Sequence, residues 1–563
     1  MVSKRTELLT AVILIGILLR LWGIDFGLPF LYHQDEPIVV NHALAYGSGD
    51  LNPHFFIIPP LTSYILFFFY GIKFTILILF GLINGTEAFA ISFFRDPSSF
   101  YLLGRLAIGF LPSIISIYLT YRLARKFFSF EAALYSALMM AVAFLNVINA
   151  HYIYTDNLLV MLILCAYLAI ISMAKTPSIR NYILCAISIG IGIAVKYNAA
   201  ILVVPFFLAH IFANNIRNPK SIIFSKALII SIGVMSLAFI VCNPYALLDF
   251  RFFLLSIRER INGNYIGFFH HIRYSLFQGI GIFTTVLGTA GLFIFLSRRS
   301  KESVLILSFP IIFFIHLIFM SQLHSRYVLV LVPFISIGAG FLLFDYIIKQ
   351  SNSPRVLIFT MTLLVLVPTL GKSLKADMLF VNKDTRTEAF EWIDKNLPMS
   401  SKIAMDNTSF IPQLRQTKSQ LYQKQAILKN QPELKDLKSR KLDLQIKAFK
   451  ADKTFEVYYL GAGDENKGQF LNLWPFIGNS REELSKHAIE YVVFNNMTKT
   501  EGMQELRKDL QRFGRPIAAF NPYIGAGFRR PYDDIDVTCM PIDDRELFSR
   551  RKSGPYIEIY RVE

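Results

Sequence analysis

The chain carries little charge for its length, which argues against a wholly soluble protein. Only 17% of its 563 residues are charged, whereas 54% are hydrophobic and 52 are Phe. Soluble domains average about 25% charged residues. The apolar residues gather in several runs of about 17 to 25, the length that crosses a bilayer as a helix. We therefore predict a polytopic α-helical membrane protein.

Cysteine is also scarce, with four residues in the whole chain. Cys165, Cys185 and Cys242 lie in apolar segments, and only Cys539 lies in the polar C-terminal part. A single cysteine cannot form an internal disulfide, so that part of the chain is not stabilised by one.

Acidic residues are fewer than basic ones, giving a formal net charge of +17. In a soluble chain this excess would suggest nucleic acid binding. Here much of the Lys and Arg lies in short loops between apolar segments, where basic residues set membrane orientation. Nucleic acid is therefore not expected as a partner.

The first apolar stretch, Leu8 to Leu21, lacks the small-residue cleavage site of a signal peptide and is predicted to be an uncleaved span. The further candidate spans are 100–121, 131–149, 157–174, 182–195, 199–213, 227–242, 276–297, 303–320, 327–347 and 355–371. Together they predict a membrane domain over residues 1–371 with about eleven transmembrane helices.

The apolar run 61–83 is long enough to span, but the distribution of basic loops argues against it. If it does not cross, the basic loops fall on one face, which is then the cytoplasm. We therefore predict that it lies along or re-enters the membrane within a long first external loop, 25–99. The N-terminus is then cytoplasmic and the C-terminus external.

This topology places the polar clusters on the external side, whereas the cytoplasmic loops are short basic turns. The external clusters begin at Asp35-Glu36, His151, Lys196, Asn243 and His324. Any active site therefore faces away from cytosolic nucleotides, which disfavours ATP-driven or nucleotide-sugar chemistry. The predicted localisation is the cell membrane, with an extracytoplasmic site.

Residues 377–563 lack long apolar runs and are predicted to form a separate soluble, extracytoplasmic α/β domain. Thr385-Arg-Thr-Glu388 has the pattern of a capping box that opens an amphipathic helix ending near Asn396. Apolar patterns predict strands at 402–405, 489–494 and 556–560, with a charged helix near 500–513.

The most informative motif is Tyr32-His33-Gln34-Asp35-Glu36, directly after the first span. Ionisable residues this close to hydrocarbon are costly and point to function. A carboxylate can act as general base for a hydroxyl or amine, and Asp35 is the better candidate for this role. Glu36 could hold the acceptor or a positively charged partner, and His33 could orient either carboxylate. The alternative is that both acids only begin a helix, where acidic residues and Pro37 are favoured.

Several motifs in order resemble the GT-C fold membrane glycosyltransferases, specifically the protein O-mannosyltransferase and aminoarabinose-transferase-like group of bacteria and archaea. They begin with the Tyr32–Glu36 motif and continue over most of residues 1–350. The others are Asn52-Pro53, Pro59-Pro60-Leu61, Gly104-Arg105-Leu106, Ala150-His151-Tyr152 with Asp156, Gly192 to Tyr197, and Arg326-Tyr327 with Pro333. Asp384-Thr-Arg386 and Gly554 to Tyr560 resemble parts of the external domain of such transferases.

The resemblance implies an inverting glycosyltransferase that uses a polyprenyl-phosphate sugar and transfers it to a protein, glycan or lipid acceptor. It implies Asp35 as general base, and the cationic candidates for the lipid phosphate are Lys196, Arg326 and His151. The full set of predicted substrate-binding residues is His33, Arg105, His151, Asp156, Lys196, Tyr197, Arg326 and Tyr327. No cofactor and no metal are expected, because the acidic cluster lacks defined further ligands.

Structural explanations remain open for these residues. Arg105, Lys196 and Arg326 could be interfacial anchors. His151 could be a structural hydrogen-bonding group, and Asp156 could cap the helix that follows it.

Two other functions remain open. A polytopic transporter or lipid-linked-sugar flippase would be expected to show internal repeats and ionisable groups central in its spans. A scaffold that binds a partner through the external domain would leave the carboxylate pair unexplained.

Overall fold

The computed structural model describes residues 2–214, 224–261, 267–320, 323–350, 354–406, 410–429, 435–449, 452–461, 475–497, 501–525 and 540–563. Cys539 lies outside these residues. The chain is predominantly helical up to Val381, and a six-stranded sheet follows in the C-terminal part.

Helices make up most of the apolar part of the chain. The first half contains Val2–Leu21, Glu36–Ala45, Leu61–Leu79, Thr86–Arg95, Ser98–Gly104, Leu111–Ala124, Phe130–Val142, Phe144–Asn149, Thr155–Lys175, Ile179–Val195 and Val203–Asn214. The second half contains Lys226–Cys242, Tyr245–Leu248, Phe250–Ile261, Phe268–His270, Ile282–Ser297, Lys301–Ile318, Val332–Gly340, Ile348–Gln350 and Pro354–Val381. Segments of π- or 3-10 helix lie at Tyr46–Ser48, Arg105–Phe110, Tyr197–Leu202, His271–Gly281, Ser325–Leu331 and Phe341–Ile347.

Within the described residues, 8 helical stretches are long and apolar enough to cross a membrane, and Leu61–Leu79 is one of them. Phe130–Val142, Ile179–Val195 and Lys226–Cys242 are shorter apolar helices. The chain is thus a multi-pass membrane protein by length and composition. The count of eleven spans, their orientation and the membrane-lying position of 61–83 stay predictions.

Two predicted spans differ from the observed helices. The predicted span 131–149 is two helices, because the backbone of Ala143 turns out of the helical region at φ −57° and ψ 117°. The predicted span 355–371 belongs to a helix that continues to Val381. Polar residues such as Lys372 and Asp377 are buried along that extension.

Glycines let the helices Ile282–Ser297 and Val332–Gly340 pack with their backbones in contact. A Cβ added at Gly291 would overlap the carbonyl oxygen of Gly338, and one added at Gly338 would overlap that of Gly288. Helices in membranes associate through such small-residue contacts.

We expect Gly291→Val to lower stability by about 1–3 kcal/mol, because the added atoms force the two helices apart. Thermal unfolding in detergent measures the loss. Gly233→Ala is the matched control, since a Cβ there meets nothing within 4 Å. Equal unfolding temperatures for Gly291→Val and the wild type would contradict this close packing.

The C-terminal sheet contains β1 (Lys402–Asp406), β2 (Glu456–Leu460), β3 (Phe476–Ile477), β4 (Tyr491–Asn495), β5 (Gly514–Phe520) and β6 (Ile557–Val562). Their order is β3-β2-β1-β4-β6-β5. β1 pairs in parallel with β2 and β4, whereas β6 pairs antiparallel with β4 and β5. The α/β elements predicted for this region are confirmed.

Helices cover both faces of this sheet. The helix Thr385–Asn396 packs Ala389 and Ile393 into a core with β1 and β2, whereas Glu501–Phe513 packs Leu506 and Leu510 into the opposite core. The remaining helices are Lys418–Lys429, Lys435–Ala448, Arg481–Lys486 and Asp544–Ser549.

The predicted capping box at Thr385 was wrong by one residue. Asp384 is the N-cap, and its Oδ1 accepts from the backbone N–H of Arg386 at 2.8 Å. The Thr385 hydroxyl instead donates to the carbonyl oxygen of Pro555 at 2.6 Å. An Asp before a Thr offers two possible caps, and the contact with the last strand region selects between them.

Candidate active site

The acidic pair of the first loop lies where the helix Glu36–Ala45 begins. Asp35 has the N-cap position, but its side chain makes no capping hydrogen bond, and Pro37 lies in the first turn. The two carboxylates point to different partners. A helix does begin at this acidic pair, but capping of that helix does not explain the contacts of the two acidic side chains.

Glu36 is fully buried and forms a two-bond ion pair with Arg105. Arg105 Nε donates to Glu36 Oε1 at 2.9 Å, and the second guanidinium nitrogen donates to Oε2 at 2.9 Å. The backbone N–H of Ile153 also donates to Glu36 Oε1 at 3.1 Å. Both side chains are 0% exposed. The pair thus joins the first loop to the helical segment of Arg105 and to the segment before Thr155.

Arg105 has further acceptors on the opposite side. Its Nη1 donates to the carbonyl oxygens of Ile24 and Phe26 at 2.8 and 2.9 Å. The predicted catalytic role of Glu36 and the substrate-binding role of Arg105 do not fit this geometry, because both groups are engaged and sealed from solvent. The sequence could not reveal this, since the two residues are 69 positions apart.

Asp35 remains partly accessible and contacts Arg326. A guanidinium nitrogen of Arg326 donates to Asp35 Oδ2 at 2.8 Å, with the side chains 5% and 26% exposed, respectively. The two residues are separated by 291 positions. Asp35 is therefore the more exposed carboxylate of the pair.

Arg326 also belongs to a buried group with Asp156 and Lys196. Lys196 Nζ donates to Asp156 Oδ1 at 2.6 Å, and Arg326 Nε lies 3.7 Å from Asp156 Oδ2. Neither Arg326 Nε nor Asp156 Oδ2 has a hydrogen-bond partner among the described residues. Two cations thus share one buried carboxylate, and a guanidinium N–H keeps the capacity to donate.

Aromatic rings hold these cations in place. Tyr327 lies under the ammonium group of Lys196 at 4.6 Å from the ring centroid, and Tyr154 lies under the guanidinium of Arg326 at 4.6 Å. Cations are attracted to such ring faces. Tyr154 was not predicted as a site residue, although it stands two positions before Asp156. The hydroxyl of Tyr197 donates to the carbonyl oxygen of Phe56 at 2.8 Å, which ties this segment to the first loop.

His33 is buried beside the acidic pair and packs against Tyr152, with 4.2 Å between ring centroids. Its Nδ1 accepts from the backbone N–H of Asp35 at 3.2 Å. Burial, together with the charges of Arg326 and Arg105, holds the pKa of His33 well below its usual value. A neutral imidazole is what this hydrogen bond requires, because Nδ1 must carry a lone pair.

His151 contacts backbone carbonyl groups and an aromatic ring. Its ring nitrogens lie 2.9 and 3.1 Å from the carbonyl oxygens of Val147 and Trp22, and its ring stacks on Phe380 at 4.6 Å. Burial lowers the pKa of His151 to about 4. These contacts fit the structural alternative for His151 rather than binding of a phosphate.

Within the described residues, no group of three or more His, Cys, Asp or Glu side chains gathers as metal ligands do. Of the predicted residues, the structure brings Asp35, Asp156, Lys196, Arg326 and Tyr327 together. Glu36, Arg105 and His33 lie directly behind Asp35.

Comparison with known proteins gives one sequence match. Residues 99–245 match the family model of dolichyl-phosphate-mannose-protein mannosyltransferases. This segment contains Arg105, Asp156 and Lys196. No curated protein sequence matches the chain.

Among solved structures, the chain is similar to the oligosaccharyltransferase AglB from Archaeoglobus fulgidus in complex with an inhibitory peptide and a dolichol-phosphate. The identity is 12%, the match covers 92% of this chain and 73% of that chain, and the TM-score is 0.49. It is also similar to ArnT from Cupriavidus metallidurans bound to undecaprenyl phosphate, at 14% identity, 94% and 97% coverage and a TM-score of 0.49.

The sequence match covers the segment that supplies the helix of Arg105 and the Asp156–Lys196 pair. Over residues 99–245 the chain is therefore similar to the dolichyl-phosphate-mannose-protein mannosyltransferases.

Proposed function

We propose that the chain transfers a sugar from a polyprenyl-phosphate donor to an acceptor, with Asp35 as general base. The observation that carries the proposal is the contact of partly exposed Asp35 with Arg326, beside buried Lys196. A base and two cations are thus adjacent, as this reaction requires. The description of the matching family supports a polyprenyl-phosphate sugar as donor.

The proposed reaction is a displacement at the anomeric carbon. Asp35 takes the proton of an acceptor hydroxyl or amine while the acceptor atom bonds to that carbon. The bond from the carbon to the phosphate oxygen breaks, and its electron pair leaves with polyprenyl phosphate. Attack opposite the leaving group inverts the configuration of the anomeric carbon.

Arg326 and Lys196 are the proposed contacts of the donor phosphate. Arg326 Nε lacks a hydrogen-bond acceptor among the described residues. A phosphate oxygen can take that place. Phosphate binding would compete with Asp35 for the guanidinium and leave the carboxylate free to accept a proton. Asp156 keeps the two cations together. The ring of Tyr327 contacts Lys196, and the ring of Tyr154 contacts Arg326.

Glu36, Arg105 and His33 are proposed to position Asp35 without touching substrate. Glu36 fixes the residue next to Asp35 through its ion pair, and His33 accepts from the Asp35 backbone N–H. Such supporting contacts keep a catalytic group close to the orientation that the reaction requires.

The site is proposed to face the outside of the cell, because the positive-inside distribution of basic loops puts the first loop there. The same argument places the N-terminus inside and the C-terminal α/β domain outside, with about eleven spans. A lipid-linked donor fits that location, since it needs no cytosolic nucleotide. The acceptor is proposed to be a protein, glycan or lipid of the cell envelope.

A transporter or flippase of lipid-linked sugar is the second candidate, because its substrate would have the same phosphate. Reconstituted vesicles carrying dolichyl-phosphate mannose labelled in the sugar separate the two functions. With an envelope extract from the source organism as acceptor, we expect labelled covalent product and an equal amount of dolichyl phosphate. Movement of the intact donor between leaflets without bond cleavage would overturn the proposed transferase function.

A further inference from the structure

The C-terminal domain contacts the first loop a few residues before Asp35. Tyr32 and Phe30 of the loop meet the helix Thr385–Asn396, and Leu31 meets the segment after β1. Tyr32 is 2% exposed. The loop that carries the proposed base is therefore enclosed between the membrane domain and the α/β domain.

Side chains of the two parts form a stack of four groups. The guanidinium of Arg386 lies 3.7 Å from the ring centroid of Tyr32, Tyr32 stacks on Phe30 at 5.9 Å, and Phe30 packs on Phe390 at 4.8 Å. Arg386 and Phe390 are four residues apart on one helix face, so they hold the two loop rings between them. Asp384 fixes the guanidinium through two hydrogen bonds at 2.8 Å.

Hydrogen bonds between the loop and the α/β domain accompany this stack. The side-chain amide of Gln413 donates to the carbonyl oxygen of Leu31 at 2.9 Å, and its oxygen accepts from the Leu31 N–H at 3.2 Å. The hydroxyls of Tyr32 and Thr387 lie 2.7 Å apart. Both backbone polar groups of Leu31 are thus fixed by one residue of the α/β domain, only four positions before Asp35.

We propose that Gln413, Thr387 and Arg386 are positioning residues for Asp35, so that the α/β domain is part of the catalytic unit rather than only an appended module. The proposal rests on the proposed function, because it takes Asp35 as the base. Gln413 and Thr387 hold Leu31 and Tyr32, the two residues directly before His33, so they set the course of the loop to Asp35. Misplacement by about 1 Å can lower a rate by about 10²-fold.

Gln413→Ala and Thr387→Val test the proposal without disturbing the core, because Gln413 is exposed and Thr387 half-buried. We expect each to lower kcat with dolichyl-phosphate mannose by about 10- to 100-fold. The KM for the donor should stay within about twofold, because Arg326 and Lys196 are untouched. Hydrogen exchange of the peptide containing Leu31 should accelerate.

Lys447→Ala is the matched control. Lys447 Nζ and Glu87 Oε1 form another contact between the same two parts, at 2.6 Å and with both side chains more than half exposed, but far along the loop from Asp35. This variant should keep wild-type kcat. An equal loss of kcat in Lys447→Ala would mean that any contact between the two parts supports activity. That result would overturn the proposal that Gln413 and Thr387 position Asp35.

The outcomes separate this inference from the proposed function. If Asp35→Asn is inactive while Gln413→Ala and Thr387→Val turn over like the wild type, only the positioning role fails. If Asp35→Asn turns over normally, the proposed base fails. Unchanged hydrogen exchange at Leu31 in Gln413→Ala would overturn the contact itself, whatever the activity.

Discussion

Asp35→Asn is expected to lower the turnover of glycosyl transfer by about 10²- to 10⁴-fold, the range that a general base contributes. Asn has nearly the same shape and can still accept a hydrogen bond from Arg326, but it cannot take a proton from the acceptor. The donor should therefore still bind. Release of dolichyl phosphate from dolichyl-phosphate mannose measures the turnover.

Asp50→Asn is the matched control for this variant. Asp50 lies in the same loop and pairs with His54 at 2.9 Å, with both side chains about half exposed. It should leave turnover unchanged. Wild-type turnover in Asp35→Asn would show that the carboxylate is only an ion-pair partner of Arg326.

Arg105→Met should produce the largest loss of stability, about 3–5 kcal/mol, because it leaves the Glu36 carboxylate buried without its cation. Glu36 would retain only the backbone N–H of Ile153, and the carbonyl oxygens of Ile24 and Phe26 would lose their donor. Thermal unfolding in detergent should show a correspondingly lower midpoint.

The double variant Arg105→Met, Glu36→Leu distinguishes the cause of this loss. Replacing a buried ion pair by apolar side chains of similar volume is often tolerated, so the double variant should recover part of the stability. It should not recover full turnover, because the residue next to Asp35 is no longer fixed. A double variant less stable than Arg105→Met would contradict the assignment of an unpaired Glu36 as the cause.

Local patterns in the sequence predict the elements of the fold, since apolar runs and amphipathic periods come from neighbouring residues. The helix at 385–396 and the strands near 402, 491 and 557 follow in this way. The break at Ala143 and the extension of the last apolar helix to Val381 do not, because they depend on tertiary packing. The choice of Asp384 over Thr385 as cap likewise depends on a contact with Pro555, 170 positions away.

The residues of the site are visible in the sequence, but their pairing is not. Ionisable residues at Asp35, Glu36, Asp156, Lys196 and Arg326 stand out because they adjoin apolar segments. Asp35 contacts Arg326, which is 291 positions away in the chain. Glu36 is buried against Arg105, which is 69 positions away. No local pattern reveals contacts over such separations. The sequence favours Asp35 over Glu36 as the base, but the different partners of the two carboxylates appear only in the structure.

A single-turnover experiment with purified protein tests the central claim most directly. Wild type and Asp35→Asn are mixed with limiting labelled dolichyl-phosphate mannose and an envelope extract, and bound donor and released dolichyl phosphate are both measured. We predict that both proteins bind the donor, that only the wild type releases dolichyl phosphate, and that the transferred sugar has inverted anomeric configuration. Equal release by both proteins, or transfer with retained configuration, would contradict the account.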